Sequence, residues 1–306
     1  MYTVNDYCRD LFGRKVYKIA LNAGMTCPNR DGTCGTGGCI FCSEGGSGDF
    51  ASDPHLPIDE QIGSAKARIR QKFTGDQFIA YFQAGTNTYA PYERLEKLFF
   101  PVIERSDIAA LSIATRPDCL SPDILSLLDR LNRIKPVWVE LGLQTIHKRT
   151  SDYIRRGYEL SVYDEALKSL KSLNIHVITH IILGLPGESA EDMMETAAYV
   201  VRSYEQDPRV SPVRGGIKLQ LLHVLKGTDL AAEYDKGKFR VLSLEEYVSI
   251  LCEILEIIPD DIVIHRLTGD GPKKLLIAPL WSGDKKLVLN TINKALGETR
   301  SKHARP

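Results

Sequence analysis

Apolar and polar positions follow two rhythms along the chain. Short, nearly continuous apolar runs recur as VYKIALN (16–22), FIAYFQA (78–84), IAALSIA (108–114), VWVELGL (137–143), HVITHIILG (176–184) and IKLQLLHVL (217–225). Their lengths and residue types predict strands. Between them, apolar residues return every three to four positions over 58–73, 92–105, 121–134, 161–173 and 189–204, which predicts helices. Ser121 and Ser189 stand ahead of acidic residues, placed to cap the helices that follow. Strands that are apolar throughout, rather than alternating, belong to a parallel sheet covered by helices. The predicted class is α/β, a partial (β/α)6 barrel built from residues 1–225. After residue 225 a helix (243–258), a short strand (261–267) and a last helix near 284–297 predict an α/β extension, 226–306, packed on that barrel and closing it. No stretch rich in Pro, Gly or Ser separates the two parts.

Charged residues make up 25% of the chain and apolar ones 43%, the balance of a globular protein. Lys plus Arg and Asp plus Glu are 39 each, so no overall field holds a polyanion, and any nucleic-acid site must be a local patch. The opening MYTVNDYCRDLFGRK carries charges where a signal peptide needs an apolar core, and no run approaches the roughly 18 apolar residues of a membrane helix. A cytoplasmic protein without a membrane partner is expected. The cysteines are odd in number, at 8, 27, 34, 39, 42, 119 and 252, and four of them crowd into 27–42. In a reducing compartment that crowding points to a metal or redox site rather than to disulfides. Cys8, Cys119 and Cys252 read as small buried hydrophobes.

The crowded segment, CPNRDGTCGTGGCIFC, sits in a glycine-rich loop after the first strand, where a β/α barrel keeps its chemistry. A C-x2-C pair lets neighbouring thiolates meet one metal centre, and both zinc ribbons and iron-sulfur loops use it. The loop glycines and the lack of a second C-x2-C favour iron-sulfur on Cys27, Cys39 and Cys42. Cys34 keeps open a structural zinc site of four thiolates.

CPNRDGT followed by GGCIFCSEGGSGDFA resembles the cysteine loop of the radical S-adenosylmethionine (SAM) proteins of the YhcC/YtqA-like family, related to the radical SAM domain of the Elongator catalytic subunit. The likeness continues in order through FQAGTNTYAP (82–91), IATRPDCL (113–120), VELGLQT (139–145), RRGY (155–158), IILGLPGES (181–189), IKLQLLHVLKGTDL (217–230), VIHRLTGDGP (263–272) and LIAPLWS (276–282), and so covers nearly the whole chain. The resemblance implies a TIM-like radical SAM barrel in which Cys27, Cys39 and Cys42 hold three irons of a [4Fe-4S] cluster. The fourth iron is then left for the amino and carboxylate groups of SAM, and Phe41 lies near the adenine. It also implies reductive cleavage of SAM to a 5'-deoxyadenosyl radical, with the electron supplied by a flavodoxin-like or ferredoxin-like donor.

By the same resemblance, Gln83, Thr86 and Asn87 at the end of the second strand, Arg116 after the third, Arg156 one helix beyond the fourth, and Gly184 and Gly187 after the fifth are cofactor-binding candidates. Each has a plainer reading as a polar turn, a helix cap with Asp118, or a solvated basic turn. Glu140, Gln144 and Lys218 are the catalytic candidates. A charged Glu inside the apolar run VWVELGL must be paired or functional, because burying it alone is costly. His223, placed with Lys218 on the sixth strand, reads as a structural histidine. The substrate implied is the wobble uridine of a tRNA. A small metabolite or cofactor precursor is the second reading, and a zinc-stabilised, non-catalytic RNA-binding module the third. A tRNA would meet a local basic rim drawn from Arg68, Arg70, Lys72, Lys148, Arg149, Arg155, Arg156, Arg300, Lys302 and Arg305.

Overall fold

The computed structural model describes residues 1–46, 48–71, 75–205, 213–269 and 271–303, with side chains to residue 297. Helix α1 (Val4–Phe12) opens the chain under a capping box in which Thr3 and Asp6 satisfy each other's amides. The β/α alternation follows: β1 (Tyr17–Leu21), α2 (Ile58–Arg70), β2 (Phe78–Phe82), α3 (Tyr92–Ile103), β3 (Ile108–Thr115), α4 (Pro122–Asn132), β4 (Val137–Gln144), α5 (Lys148–Tyr153), α6 (Leu160–Ser172), β5 (His176–Leu183), α7 (Ala190–Glu205) and β6 (Gly215–Leu221). The remainder is β7 (Val224–Leu225), α8 (Asp229–Asp235), α9 (Leu244–Ile257), β8 (Ile262–Arg266), β9 (Leu276–Ala278) and α10 (Lys285–His303).

Seven strands form one curled parallel sheet in the order β1-β2-β3-β4-β5-β6-β8, a half-barrel with β1 and β8 as its edges. Helices cover the convex face, so the strands are buried on both sides; all five residues of β2 are buried, which explains their continuous apolar run. The expected six-stranded alternation therefore runs one strand further. The extension supplies β8, which pairs in parallel with β6. It lengthens the sheet instead of closing it. The β8 edge is covered by the N-terminal segment, where the Ile264 amide donates to the Tyr2 carbonyl at 2.8 Å. β7 and β9 form a separate antiparallel pair.

Other expectations shift locally. α1, α5 and α8 escape the apolar pattern because they are short and owe their stability to tertiary contact. α1 packs through Cys8, Val4, Tyr7 and Phe12 onto Trp138, closing the end of the sheet where the strands begin. Ser189 caps α7 as expected, its hydroxyl accepting from the Asp192 amide at 3.2 Å while Asp192 accepts from the Ser189 amide at 2.8 Å. Ser121 makes no capping bond, and Asp123 stands one position too early for a reciprocal carboxylate. His223 lies past the end of β6 rather than on it. No described helix is long and apolar enough to cross a membrane.

Candidate functional site

The strand ends and their loops enclose a cavity of about 700 Å³ at the C-terminal mouth of the half-barrel. Cys27, Cys39 and Cys42 open onto it from the loop after β1, together with Phe41. The loop owes its shape to backbone turns: the Cys27 carbonyl accepts from Arg30 N at 2.8 Å, and the Cys39 carbonyl accepts from Cys42 N at 2.9 Å. The second turn sets the Cys39 and Cys42 thiols side by side, and that contact, with burial, pushes the Cys39 thiol well above its ordinary range. The buried Asn29 side chain ties the loop inward, donating to Cys39 Sγ at 3.4 Å and to the Arg156 carbonyl at 3.3 Å. From β2, the Gly85 amide donates to Gly46 O at 3.1 Å and the Thr86 amide to Thr26 O at 3.0 Å. Gly85 has φ +71°, and a Cβ there would lie 2.3 Å from the Met25 carbonyl oxygen, so only glycine permits this docking.

Three thiols gathered on one loop at the cavity mouth are donors that suit an iron-sulfur centre as well as a thiolate-bound zinc. Cys34 is exposed and does not line the cavity; its thiol lies 4.0 Å from Asp118 Oδ2.

Of the cofactor-binding candidates, Phe41, Gln83, Thr86, Arg116 and Arg156 line the cavity. Asn87 does not; its Nδ2 bridges the Phe82 and Ala114 carbonyls at 3.0 Å each, tying β2 to β3. Gly184 and Gly187 also lie off this cavity, Gly187 on a smaller one of about 380 Å³ with Arg149. Arg116 grips Asp118 with Nε at 2.9 Å and Nη2 at 2.6 Å, and its Nη1 donates to the Arg156 carbonyl at 2.8 Å. Burial disfavours its charge, but Asp118 and the Cys27 and Cys39 thiols outweigh burial and raise it. Arg156 spends its donors on the carbonyls of Leu143 (3.1 Å), Thr145 (2.6 Å) and Tyr158 (3.0 Å). Both guanidiniums flank the Tyr158 ring.

The inner wall of the cavity is a charged network. Glu140, with no exposed side-chain surface, receives Lys18 Nζ at 2.6 Å, Lys218 Nζ, Ser112 Oγ at 2.6 Å and His180 Nε2 at 2.7 Å. Burial alone would raise the Glu140 carboxyl, but Lys18, Lys218 and His180 outweigh it and hold it well below the usual carboxylate range. Burial pulls Lys218 down to about 7 against the attraction of Glu140. It also lowers His180 to about 4, with Lys218 adding to the effect. Lys18 and Lys218 both lie over the Tyr81 ring, at 4.7 and 4.6 Å. Gln144, in a left-handed conformation at φ 70°, lines the same cavity, and its Oε1 is buried without a hydrogen bond.

Thus Glu140 and Lys218 pair directly and Gln144 lines the same cavity, and Glu140 and its neighbours gather Lys18, Ser112, His180 and Gln220, which sequence reasoning missed. The available signal was the one used for Glu140: a lone polar residue inside an apolar strand. The proposed basic rim is less free than its sequence suggests. Lys148 pairs with Asp152 at 2.6 Å, Arg155 with Asp229 at 2.5 Å, and Arg149 donates to the Gly187 carbonyl at 2.7 Å. Lys72 and Arg305, and the side chains of Arg300 and Lys302, lie outside the described residues.

A parallel half-barrel with clustered cysteines at the mouth of its first loop is the architecture of one enzyme class. The radical SAM superfamily model matches residues 29–200, and the radical SAM C-terminal domain model matches residues 215–298. The chain belongs to the radical SAM superfamily and is an enzyme of it. It is 47% identical over 295 residues to YtqA of Bacillus subtilis (strain 168), covering 96% of this chain and 89% of that protein. It is 32% identical over 299 residues to YhcC of Escherichia coli (strain K12), covering 96% and 93%. A more distant relative is the tRNA uridine(34) acetyltransferase of Methanocaldococcus jannaschii, 23% identical over 318 residues, with 86% of this chain and 53% of that protein covered. Among solved structures, the N-terminally truncated archaeal Elp3 of Methanocaldococcus infernus superposes with a TM-score of 0.62 at 18% identity, covering 91% of this chain and 63% of that one. That likeness shows the fold. The non-catalytic zinc module is overturned by superfamily membership.

Proposed function

We propose that this chain holds a [4Fe-4S] cluster on Cys27, Cys39 and Cys42, binds SAM beside it, and modifies the wobble uridine of a tRNA. When bound, the cluster and SAM supply a 5'-deoxyadenosyl radical after one-electron reduction by a flavodoxin-like or ferredoxin-like donor. The observation that carries the reading is that the three cysteines and the Glu140 network open onto one cavity. The protein's own task there is positional. Arg116, clamped by Asp118, places positive charge beside the cysteine thiols, and Thr86 and Gln83 line the same cavity. The buried network keeps the inner wall charged without leaving Glu140 free as a base. Support for a tRNA substrate comes from the relatives, one of which is named for uridine 34 of tRNA.

The pairing of Lys148 and Arg155 with acidic neighbours favours a second reading, a radical SAM enzyme acting on a small metabolite. Binding at two ionic strengths separates the two. Anaerobic, reconstituted protein is expected to carry about four irons and to bind tRNA with an affinity that falls steeply with salt, while SAM binding barely changes. Protein that binds no tRNA even at low salt would leave the metabolite reading in place. Nucleoside profiling of RNA from a deletion strain then identifies the altered base.

A further inference from the structure

The inner wall of the cavity contains an amide whose orientation is fixed by its neighbours and whose remaining hydrogen-bonding face is unused. Glu140 is held as a carboxylate by Lys18 at 2.6 Å and by Lys218, so it only accepts. His180 Nε2, 2.7 Å away, therefore carries the proton and donates. Burial keeps this ring neutral, which leaves Nδ1 as a lone pair. The Gln220 atom 3.2 Å from Nδ1 must then be its amide nitrogen, because turning the amide over would set two lone pairs against each other. Among the described residues, the Gln220 carbonyl oxygen and second N–H have no protein partner, and the residue lines the cavity.

A carboxamide offers one donor beside one acceptor. Uracil presents a carbonyl beside N3–H; cytosine presents the reverse order, an amino group beside a bare N3. A freely rotating glutamine pairs with either base by flipping. One locked by His180 satisfies only one order for a base whose ring face and ribose direction are fixed by its place in the RNA.

We infer that Gln220 reads the Watson–Crick edge of a uracil-type base, donating to a ring carbonyl and accepting from N3–H, with His180 as the positioning residue that stops the amide from turning over. The inference rests on the RNA reading above and assigns that reading its base-specifying group.

The test uses the full-length, anaerobic, cluster-loaded protein with SAM and two RNA hairpins that differ only by U or C at one loop position. Wild type is expected to bind the U hairpin about 10-fold to 100-fold more tightly. Gln220→Leu should bind both about equally. His180→Phe should also lose the preference, mainly by gaining affinity for the C hairpin, because the amide is now free to flip. Iron content and unfolding midpoint report that each variant is folded, and Gln220→Leu decides alone if His180→Phe does not fold. Equal binding of both hairpins by wild type, a preference for C, or a preference that survives Gln220→Leu overturns the inference and leaves the RNA reading standing. Failure to bind either hairpin overturns the RNA reading and the inference together.

Discussion

Glu140 has no exposed side-chain surface, yet it remains ionised because two ammonium groups, a hydroxyl and an imidazole converge on its two oxygens. Removing its charge strands Lys18 and Lys218 in a buried setting, a loss that typically costs about 3 to 5 kcal/mol. Glu140→Gln should therefore lower stability by that order at pH 7. The deficit should shrink at pH 9, because Lys218, already lowered to about 7, sheds its proton there. Denaturant unfolding at both pH values measures this, and a deficit independent of pH would contradict it. Among the cysteines, Cys34 lies 4.0 Å from Asp118 Oδ2 and, unlike Cys27, Cys39 and Cys42, does not line the cavity. Cys34→Ser is expected to retain iron and SAM cleavage, whereas Ala at Cys27, Cys39 or Cys42 should abolish both. An iron-free Cys34→Ser protein would sink the ligand assignment.

At the scale of elements, the strands carry two kinds of information at once. Their apolar residues fill the space under the helices, while Lys18 on β1, Ser112 on β3, Glu140 on β4, His180 on β5 and Lys218 on β6 meet inside the curl. Strand glycines make room where large side chains approach. At Gly216 on β6, a Cβ would lie 2.4 Å from the His265 ring and 3.2 Å from His176 Nε2, and those two rings already touch through Nε2 atoms 3.1 Å apart. Gly216→Ala should thus destabilise by about 1 to 3 kcal/mol, the usual cost of overpacking. A thermal midpoint equal to that of wild type would show that the rings can shift freely.

For the whole molecule, three histidines on β5 and β8, His176, His180 and His265, set its response to acid. Burial, then Lys18, lowers His176 from 6.5 to about 3; burial, then Lys218, lowers His180 to about 4; His265 is also well below its ordinary value. These rings are neutral in the folded chain and titrate near 6.5 once unfolded. As pH falls from about 6.5 towards 4, only the unfolded chain gains these protons, so stability must drop across that window. The unfolding midpoint should be lower at pH 5 than at pH 7.5; equal midpoints would mean that the rings are not held neutral.

The sequence by itself determined the β/α order, the parallel sheet and the cysteine loop at its mouth. Those features depend on local periodicity and on short spacings along the chain, as in VWVELGL and CIFC. It also marked Glu140 as a buried charge in need of partners. Which partners answer it was decided by tertiary structure, because Lys18 and Lys218 are 200 residues apart and meet only when the sheet curls. The same holds for the strand that the extension adds beside β6, for Asn87 turning into a β2–β3 tie, and for Lys148 and Arg155 finding acidic partners. Periodicity reports which face of an element is apolar; only the packed chain brings distant polar groups within hydrogen-bonding distance.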